Sequence, residues 1–220
     1  MKKHILSSQN YKGWNTSSHL GTFDFWNALS NPTFNFMYGN FQENRYLIDL
    51  IKTGKAKSVV DIGCATGTTY KLLRNYFGKN KPVYNGFDIS EPAILQARRL
   101  HEKNIFHLSN HNDYRKLPKQ KRDIIFSRDT LMHQEKPLEF LSELIEFANK
   151  YLVLRVRTRD NGETEWNIDK STQMHYDKYW MPYIVINTDE LINFIITEKK
   201  QLLIGTIIQI SFLNTNQRVK

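Results

Sequence analysis

Gly63-Cys64-Ala65-Thr66-Gly67 is a run of residues with little or no side chain, set between the apolar segment Val59, Val60, Ile62 and a helical pattern that starts at Thr68. Such a run lets a ligand lie against the backbone, where the free N–H groups of a helix start face it. Asp88 follows Gly67 by 21 residues, near the end of a second apolar segment, Val83 to Ile89. An acid at that spacing, on the end of the next parallel strand, can accept both ribose hydroxyl hydrogens of an adenosine. Among the histidines further along are His133 and His175. Their ordinary pKa of about 6.5 suits proton removal from a hydroxyl.

Spacing decides which ligand the loop suits. A dinucleotide fingerprint takes glycine at its first, third and sixth positions, which here are Gly63, Ala65 and Thr68. The third glycine, which lets helix and strand pack closely, is missing. What stands instead is Asp61-x-Gly63-x-Ala65-x-Gly67, with Asp88 behind it. This pattern resembles the first motif of the class I S-adenosylmethionine-dependent methyltransferases of small-molecule type, an acid followed by glycines at alternate positions. Ala65 departs from it by replacing the middle glycine.

The resemblance covers residues 40 to 212, specific at the loop and at Asp88 and general elsewhere. It implies S-adenosyl-L-methionine as methyl donor and S-adenosyl-L-homocysteine as product. It implies cofactor contacts at Asp61, Gly63, Cys64, Ala65, Gly67, Asp88 and Ile89, and adenine contacts at the end of the third strand. Asn110, His111 or Asp113 can supply the latter, and the sequence leaves the choice open. Ser127 and Arg128, at the end of the fourth strand, lie where the family places the methyl group. An amino-terminal lid would bring Tyr38 and Arg45 to the cofactor, although both also suit packing or surface roles. His133 is the candidate general base, with a packing role as the alternative, and His175 is its rival. Asp129, together with Asp160-Asn161, echoes the oxygen ligands of metal-dependent O-methyltransferases, but Asp-Asn-Gly is also an ordinary turn. Mg²⁺ stays a secondary reading, and no residue is assigned to a metal.

These residues need a frame. Phe41, Tyr46, Leu47, Leu50 and Ile51 have helical spacing, and Gly54 can end that helix. Strands are expected at Val59–Ile62, Val83–Ile89, Ile105–Leu108, Asp123–Ser127 and Tyr151–Arg157. Helices follow at 68–77, behind the Ser90 cap with Pro92 in its first turn, at 137–150, and from Thr188. The pattern predicts an α/β fold with a doubly wound, mostly parallel, Rossmann-like sheet and an N-terminal helical or irregular extension. Residues 1–40 would form that extension or lid and 41–220 the methyltransferase domain, a single domain overall. A strand from Leu202 to Phe212, broken at Gly205, leaves little room for the antiparallel hairpin that usually ends the family's sheet. Trp166 to Tyr183 is an aromatic insertion suited to holding an acceptor, a sugar face in particular.

Composition sets the outer bounds. The chain has 220 residues, 40% of them hydrophobic, and a net charge of +9; its mean hydropathy is -0.55. Its single cysteine, Cys64, excludes an internal disulfide and a cysteine-based zinc cluster. No apolar run approaches the about 20 residues of a membrane span, and MKKHILSSQNYKGW has too short an apolar segment for a secretory signal. We therefore expect a cytoplasmic protein without a membrane partner. The basic charge raises a nucleic-acid (RNA) methyltransferase as an alternative, but its Lys and Arg are scattered, and nucleic acid is not favoured. All six prolines are isolated. Base-amine methylation through an Asn/Asp-Pro-Pro-aromatic motif is thereby excluded, and no cysteine after the fourth or fifth strand can attack cytosine. A non-catalytic S-adenosylmethionine-binding partner subunit and a dinucleotide oxidoreductase are the other rivals. The preferred reading is methyl transfer to oxygen or nitrogen of a small-molecule acceptor, such as a sugar or nucleotide-sugar intermediate. The sequence does not state an oligomer.

Overall fold

The computed structural model describes residues 20–109, 113–175, 179–201 and 207–214. Among the described residues, three α-helices precede the first strand: α1 (Gly21–Ala28), α2 (Asn31–Gly39) and α3 (Gln42–Lys52). Pro32 falls in the first turn of α2, where its missing N–H leaves no bond unmade. On α3, Glu43, Asn44, Leu47 and Ile48 are buried along one face. Phe34, Tyr38, Ile48 and Leu72 form a small core with Trp26 and Phe41 packed against it. Trp26, Phe34, Tyr38 and Phe41 thus pack on one another, whereas Phe25 and Phe36 face water.

Strands and helices then follow as β1 (Ser58–Ile62), α4 (Thr68–Phe77), β2 (Val83–Asp88), α5 (Glu91–Leu100), β3 (Phe106–Leu108), β4 (Ile124–Arg128), α6 (Pro137–Phe147) and β5 (Tyr151–Arg159), with only short 3-10 turns described between β3 and β4. They pair in the order β3-β2-β1-β4-β5, every pair parallel. Side chains alternate across each strand, which divides the core in two. Val60, Ile62, Ile125, Leu152 and Leu154 pack with Leu141, Leu144 and Ile145 of α6. Val59, Ile124, Phe126 and Val153 pack on the other face with Tyr70 and Leu73 of α4 and with Ile94 and Ala97 of α5. The predicted Ser90 cap is present, its hydroxyl accepting from Ala93 N–H at 3.4 Å.

Beyond β5 the chain makes a separate antiparallel hairpin, β6 (Thr172–His175) and β7 (Tyr179–Pro182), within the aromatic insertion. It returns to the sheet as β8 (Ile186–Asn187), α7 (Thr188–Gln201) and β9 (Ile207–Asn214). Thr158 pairs with Ile186 of β8 and with Asn214 of β9. A residue has one neighbour on each edge of its strand, so β8 and β9 flank β5 on opposite sides. β9 is parallel to β5 from Tyr151↔Ile207 onward, because α7 carries the chain back before β9 begins. Among the described residues no antiparallel strand closes the large sheet. The strand order reverses between β1 and β4, and the crevice outside their carboxyl ends is where such sheets hold ligands. No helix among the described residues is long and apolar enough to cross a membrane.

Candidate active site

The loop after β1 is tied to β2 by its backbone: the N–H groups of Gly63 and Cys64 both donate to the Phe87 carbonyl, at 2.8 and 3.1 Å. Gly63 and Gly67 have φ of +79° and +81°, a region that glycine enters without strain. A Cβ on Gly63 would fall on the Thr130 hydroxyl, and one on Gly67 would lie 2.7 Å from the Phe106 ring. Both positions therefore exclude side chains. Ala65 shares the left-handed region at φ +47°, and its N–H donates to Asp88 Oδ2 at 2.8 Å. Ser90 N–H donates to Oδ1, also at 2.8 Å. Backbone bonds thus fix both oxygens of Asp88 beside the loop. Each carboxylate oxygen accepts two hydrogen bonds, so this geometry suits the two hydroxyls of a ribose.

Deeper in the sheet, Asp61 is only 2% exposed and accepts from the Tyr84 hydroxyl at 2.6 Å. Burial pushes its carboxyl up to about 6, against the hydrogen bonds of Tyr84 and Thr69 and the charge of Arg128. Cys64 is buried as well, and burial pushes its thiol well above the ordinary range. A thiol kept protonated is no nucleophile. It fills space beneath the loop.

The amino-terminal helices are fastened to this loop by polar contacts. Asn27 donates to the Thr66 hydroxyl at 3.2 Å. The Lys71 ammonium, on α4, donates to the carbonyls of Trp26, Asn27 and Leu29 at 3.3, 3.1 and 3.2 Å. These carbonyls end α1, where a cation satisfies the unpaired acceptors. The Tyr38 hydroxyl meets Thr68 Oγ1 at 2.8 Å and accepts a short hydrogen bond from Arg128.

Outside the carboxyl ends of β4 and β5 the site changes character. Arg128 Nε lies 2.8 Å from Glu43 Oε1, and Arg155 Nη1 lies 3.4 Å from the same oxygen. Both guanidinium groups stand over the Phe41 ring, at 5.2 and 5.1 Å. Arg155 Nε is 3.4 Å from Asp129 Oδ2, and Arg157 Nε is 3.9 Å from Asp129 Oδ1. Burial alone would lower the pKa of Arg128, but Tyr38, Glu43, Asp129 and Asp61 hold it above the ordinary value. Asp129 has φ +52°, an uncommon conformation for a residue with a side chain. Its N–H donates to the Arg155 carbonyl at 3.0 Å, so backbone and carboxylate both hold it against β5.

His133 ends a 3-10 turn, Leu131–His133, that follows Thr130. Its Nδ1 is 2.9 Å from the Pro182 carbonyl at the end of β7. A carbonyl only accepts, so Nδ1 carries the proton and Nε2 holds the lone pair of the neutral ring. Ile184 N–H donates to the Met132 carbonyl at 2.8 Å. Together these bonds bring the insertion onto the segment after β4.

A methyltransferase domain family model matches residues 53–203, more than half of the chain. The chain belongs to that methyltransferase family. The match bears out the methyltransferase reading of the sequence. No curated protein matches it in sequence. Similar solved structures include the magnesium protoporphyrin IX methyltransferase of Synechocystis PCC 6803 with bound S-adenosylhomocysteine, at 21% identity and a TM-score of 0.46. The match covers 66% of this chain and 68% of that one. Another is the plantazolicin methyltransferase BpumL in complex with S-adenosylhomocysteine, at 19% identity and a TM-score of 0.43, covering 64% of this chain and 53% of that one.

In this methyltransferase Asp61, Gly63, Cys64, Ala65, Gly67 and Asp88 converge on one loop, with Ile89 next to Asp88 in sequence. Ser127 is buried, its hydroxyl donating to the Ile62 carbonyl at 2.9 Å, so it joins β4 to the end of β1. Tyr38 and Arg128 meet beside the start of α4. Arg45 does not join them: it is exposed on α3, and that helix sends Glu43 to the site instead. Asn110 and His111 lie outside the described residues, as does the side chain of His175. Asp129 faces two guanidinium groups, and Asp160 accepts from the Thr188 hydroxyl at 2.9 Å. The two acids are thus engaged with separate partners, and no group of three or more metal-ligating side chains occurs among the described residues.

Glu43, Thr130 and Asn27 are site residues that the sequence reading passes over. Glu43 had a signal: it shares a helix face with Leu47, and an acid on a buried stripe requires a cation.

Proposed function

We propose that this methyltransferase acts on oxygen or nitrogen of a small-molecule acceptor held outside the carboxyl ends of β4 and β5, under the β6–β7 hairpin. The observation that carries the reading is the hydrogen bond of His133 Nδ1 to the Pro182 carbonyl. It sets the ring in the tautomer a general base needs, at the junction of the ligand crevice and the aromatic insertion. The cofactor supplies an electrophilic methyl on a sulfonium. The chain's own contribution is alignment and proton removal: Asp88 and the loop backbone bind the nucleoside end, Ser127 and Thr130 fix the floor, and His133 Nε2 takes the acceptor proton. The exposed Trp166 and Met174 lie in this insertion and suit the apolar face of a sugar, which supports a sugar or nucleotide-sugar acceptor. A cytoplasmic site of action fits the single reduced cysteine.

Calorimetric titration with S-adenosylhomocysteine, beside NAD and an Asp88→Ala variant, tests the cofactor half. We expect affinity to fall about a hundredfold in the variant, the loss of hydrogen bonds to a charged acceptor. Preference for NAD would overturn it. For the acceptor half, His133→Ala should lower kcat by about 10²-fold or more on any acceptor found, with affinity for S-adenosylhomocysteine kept. The net charge of +9 favours RNA as a second reading. Turnover of RNA but not of sugar hydroxyls would establish it.

A further inference from the structure

Residues 155, 157 and 159 of β5 share one face of the sheet, because side chains on a strand alternate. All three are arginine, while the intervening Val156 and Thr158 are buried on the opposite face. Arg128 is the pairing partner of Arg155 in β4 and so projects from the same face. Within this row the charges alternate. Glu43 lies against Arg128 and Arg155, and Asp129 lies against Arg155 and Arg157. Two carboxylates therefore serve three guanidinium groups, and the series ends on a cation.

That last cation differs from the others. The Arg128 and Arg155 side chains are 16% and 15% exposed, whereas Arg157 is 41% exposed. Its contact to Asp129 is the longest of the series at 3.9 Å, while its Nε is buried without a hydrogen-bond partner just as those of Arg128 and Arg155 are. Arg159, one step further out, reaches only the Glu163 carbonyl, at 3.5 Å. A partly exposed guanidinium with so long an ion pair, at the rim of a crevice, is suited to grip a planar or tetrahedral anion through its outer N–H groups.

We infer that the acceptor of this enzyme carries a phosphate or carboxylate group, and that Arg157 binds this anion as the next negative charge after Asp129. The inference rests on reading the ends of β4 and β5 as the acceptor side. Asp129 has a definite part in it. Held at positive φ between Arg155 and Arg157, it aligns the Arg157 guanidinium and also competes for it. A single small anion fits better than a polyanion, because the inner arginines are already engaged by Glu43 and Asp129 and only the outer end of the row is open.

The test uses the full chain saturated with S-adenosylhomocysteine, whose own titration establishes the cofactor site first and separately. Inorganic phosphate and acetate are then titrated in turn at constant ionic strength, with chloride as the balancing anion. We expect saturable binding of one of them, phosphate marking a phosphorylated acceptor and acetate a carboxylic one. Arg157→Gln should weaken it about tenfold or more, Arg157→Lys should restore part of it, and Asp129→Asn should tighten it by removing the competing charge. Affinity for S-adenosylhomocysteine should stay the same in all three variants. Binding of neither anion above chloride, or binding that Arg157→Gln leaves unchanged, overturns the inference while leaving the methyltransferase reading intact. Failure to bind S-adenosylhomocysteine would instead remove the reading on which it stands. Should Arg157→Gln fail to fold, the opposite shift expected of Asp129→Asn still decides: unchanged or weaker binding there overturns the inference.

Discussion

The two halves of the crevice are built from different materials. On the side of β1 and β2, the loop from Gly63 to Gly67 and the carboxylate of Asp88 are held by backbone N–H and C=O groups: Gly63 and Cys64 on Phe87, Ala65 and Ser90 on Asp88. On the side of β4 and β5, the positions are set by charged side chains from three separate places in the chain: Glu43 on α3, Arg128 and Asp129 at the end of β4, and the arginines of β5. A backbone cradle depends on a few φ angles and on the absence of side chains. An ion network depends on every partner being present, since a buried charge without its partner is costly. Damage to the first side should therefore appear mainly as lost cofactor affinity, and damage to the second as lost stability.

The sharpest way to break this contrast is Glu43→Gln. Glu43 is 2% exposed and is shared by Arg128 and Arg155, so its loss should cost about 3–5 kcal/mol of stability, the range for removing one partner of a buried pair. Urea unfolding would measure it. A cost no larger than that of an exposed ion pair would mean that water reaches these arginines and that the two halves are not distinct.

Asp61, between the halves, gives a pH test. Its folded pKa of about 6 lies above the ordinary carboxylate value, so the folded state holds this proton more tightly than the unfolded chain. The associated stability is complete below about pH 4 and is lost as the pH rises through about 6. Over that window Asp61→Asn should gain about 3 kcal/mol relative to the native chain, as the shift requires. The difference in unfolding free energy between the two proteins, followed from pH 4 to pH 8, should rise and level off; a flat line would contradict it.

Gly63→Ala should cost about 2 kcal/mol, from the left-handed conformation and from the displacement of Thr130. Thermal unfolding would show the cost. A variant as stable as the native chain would mean that Thr130 moves aside freely. Ala65→Gly is the smallest change and runs in the other direction: relieving a side chain at φ +47° should stabilise by about 1 kcal/mol. No gain would mean that the greater freedom of glycine in the unfolded chain offsets the relief.

Much of the frame was legible from local pattern. The predicted helix of residues 68–77 is α4, and the expected strands match β1 to β5 within one or two residues at either end, because strand period, the Ser90 cap and proline positions act over a few neighbours. The end of the sheet was not legible in the same way. The direction in which β9 enters depends on the path of α7 and on which edge of β5 is open, and neither leaves a local mark.

For the site, the amino-acid sequence by itself determined the loop after β1 and the acid that faces it. Small residues at fixed spacing and an acid on the next strand impose their geometry through the backbone, which every chain shares. Tertiary structure alone decided the rest. It turned Arg45 outward and Glu43 inward, seated Tyr38 between Thr68 and Arg128, and drew the β6–β7 hairpin onto His133. Those outcomes follow from which charges meet when distant segments pack. A charge carries no indication in sequence of the partner it will find, so the pairing of Glu43 with Arg155, 112 residues apart, could appear only once the chain was folded.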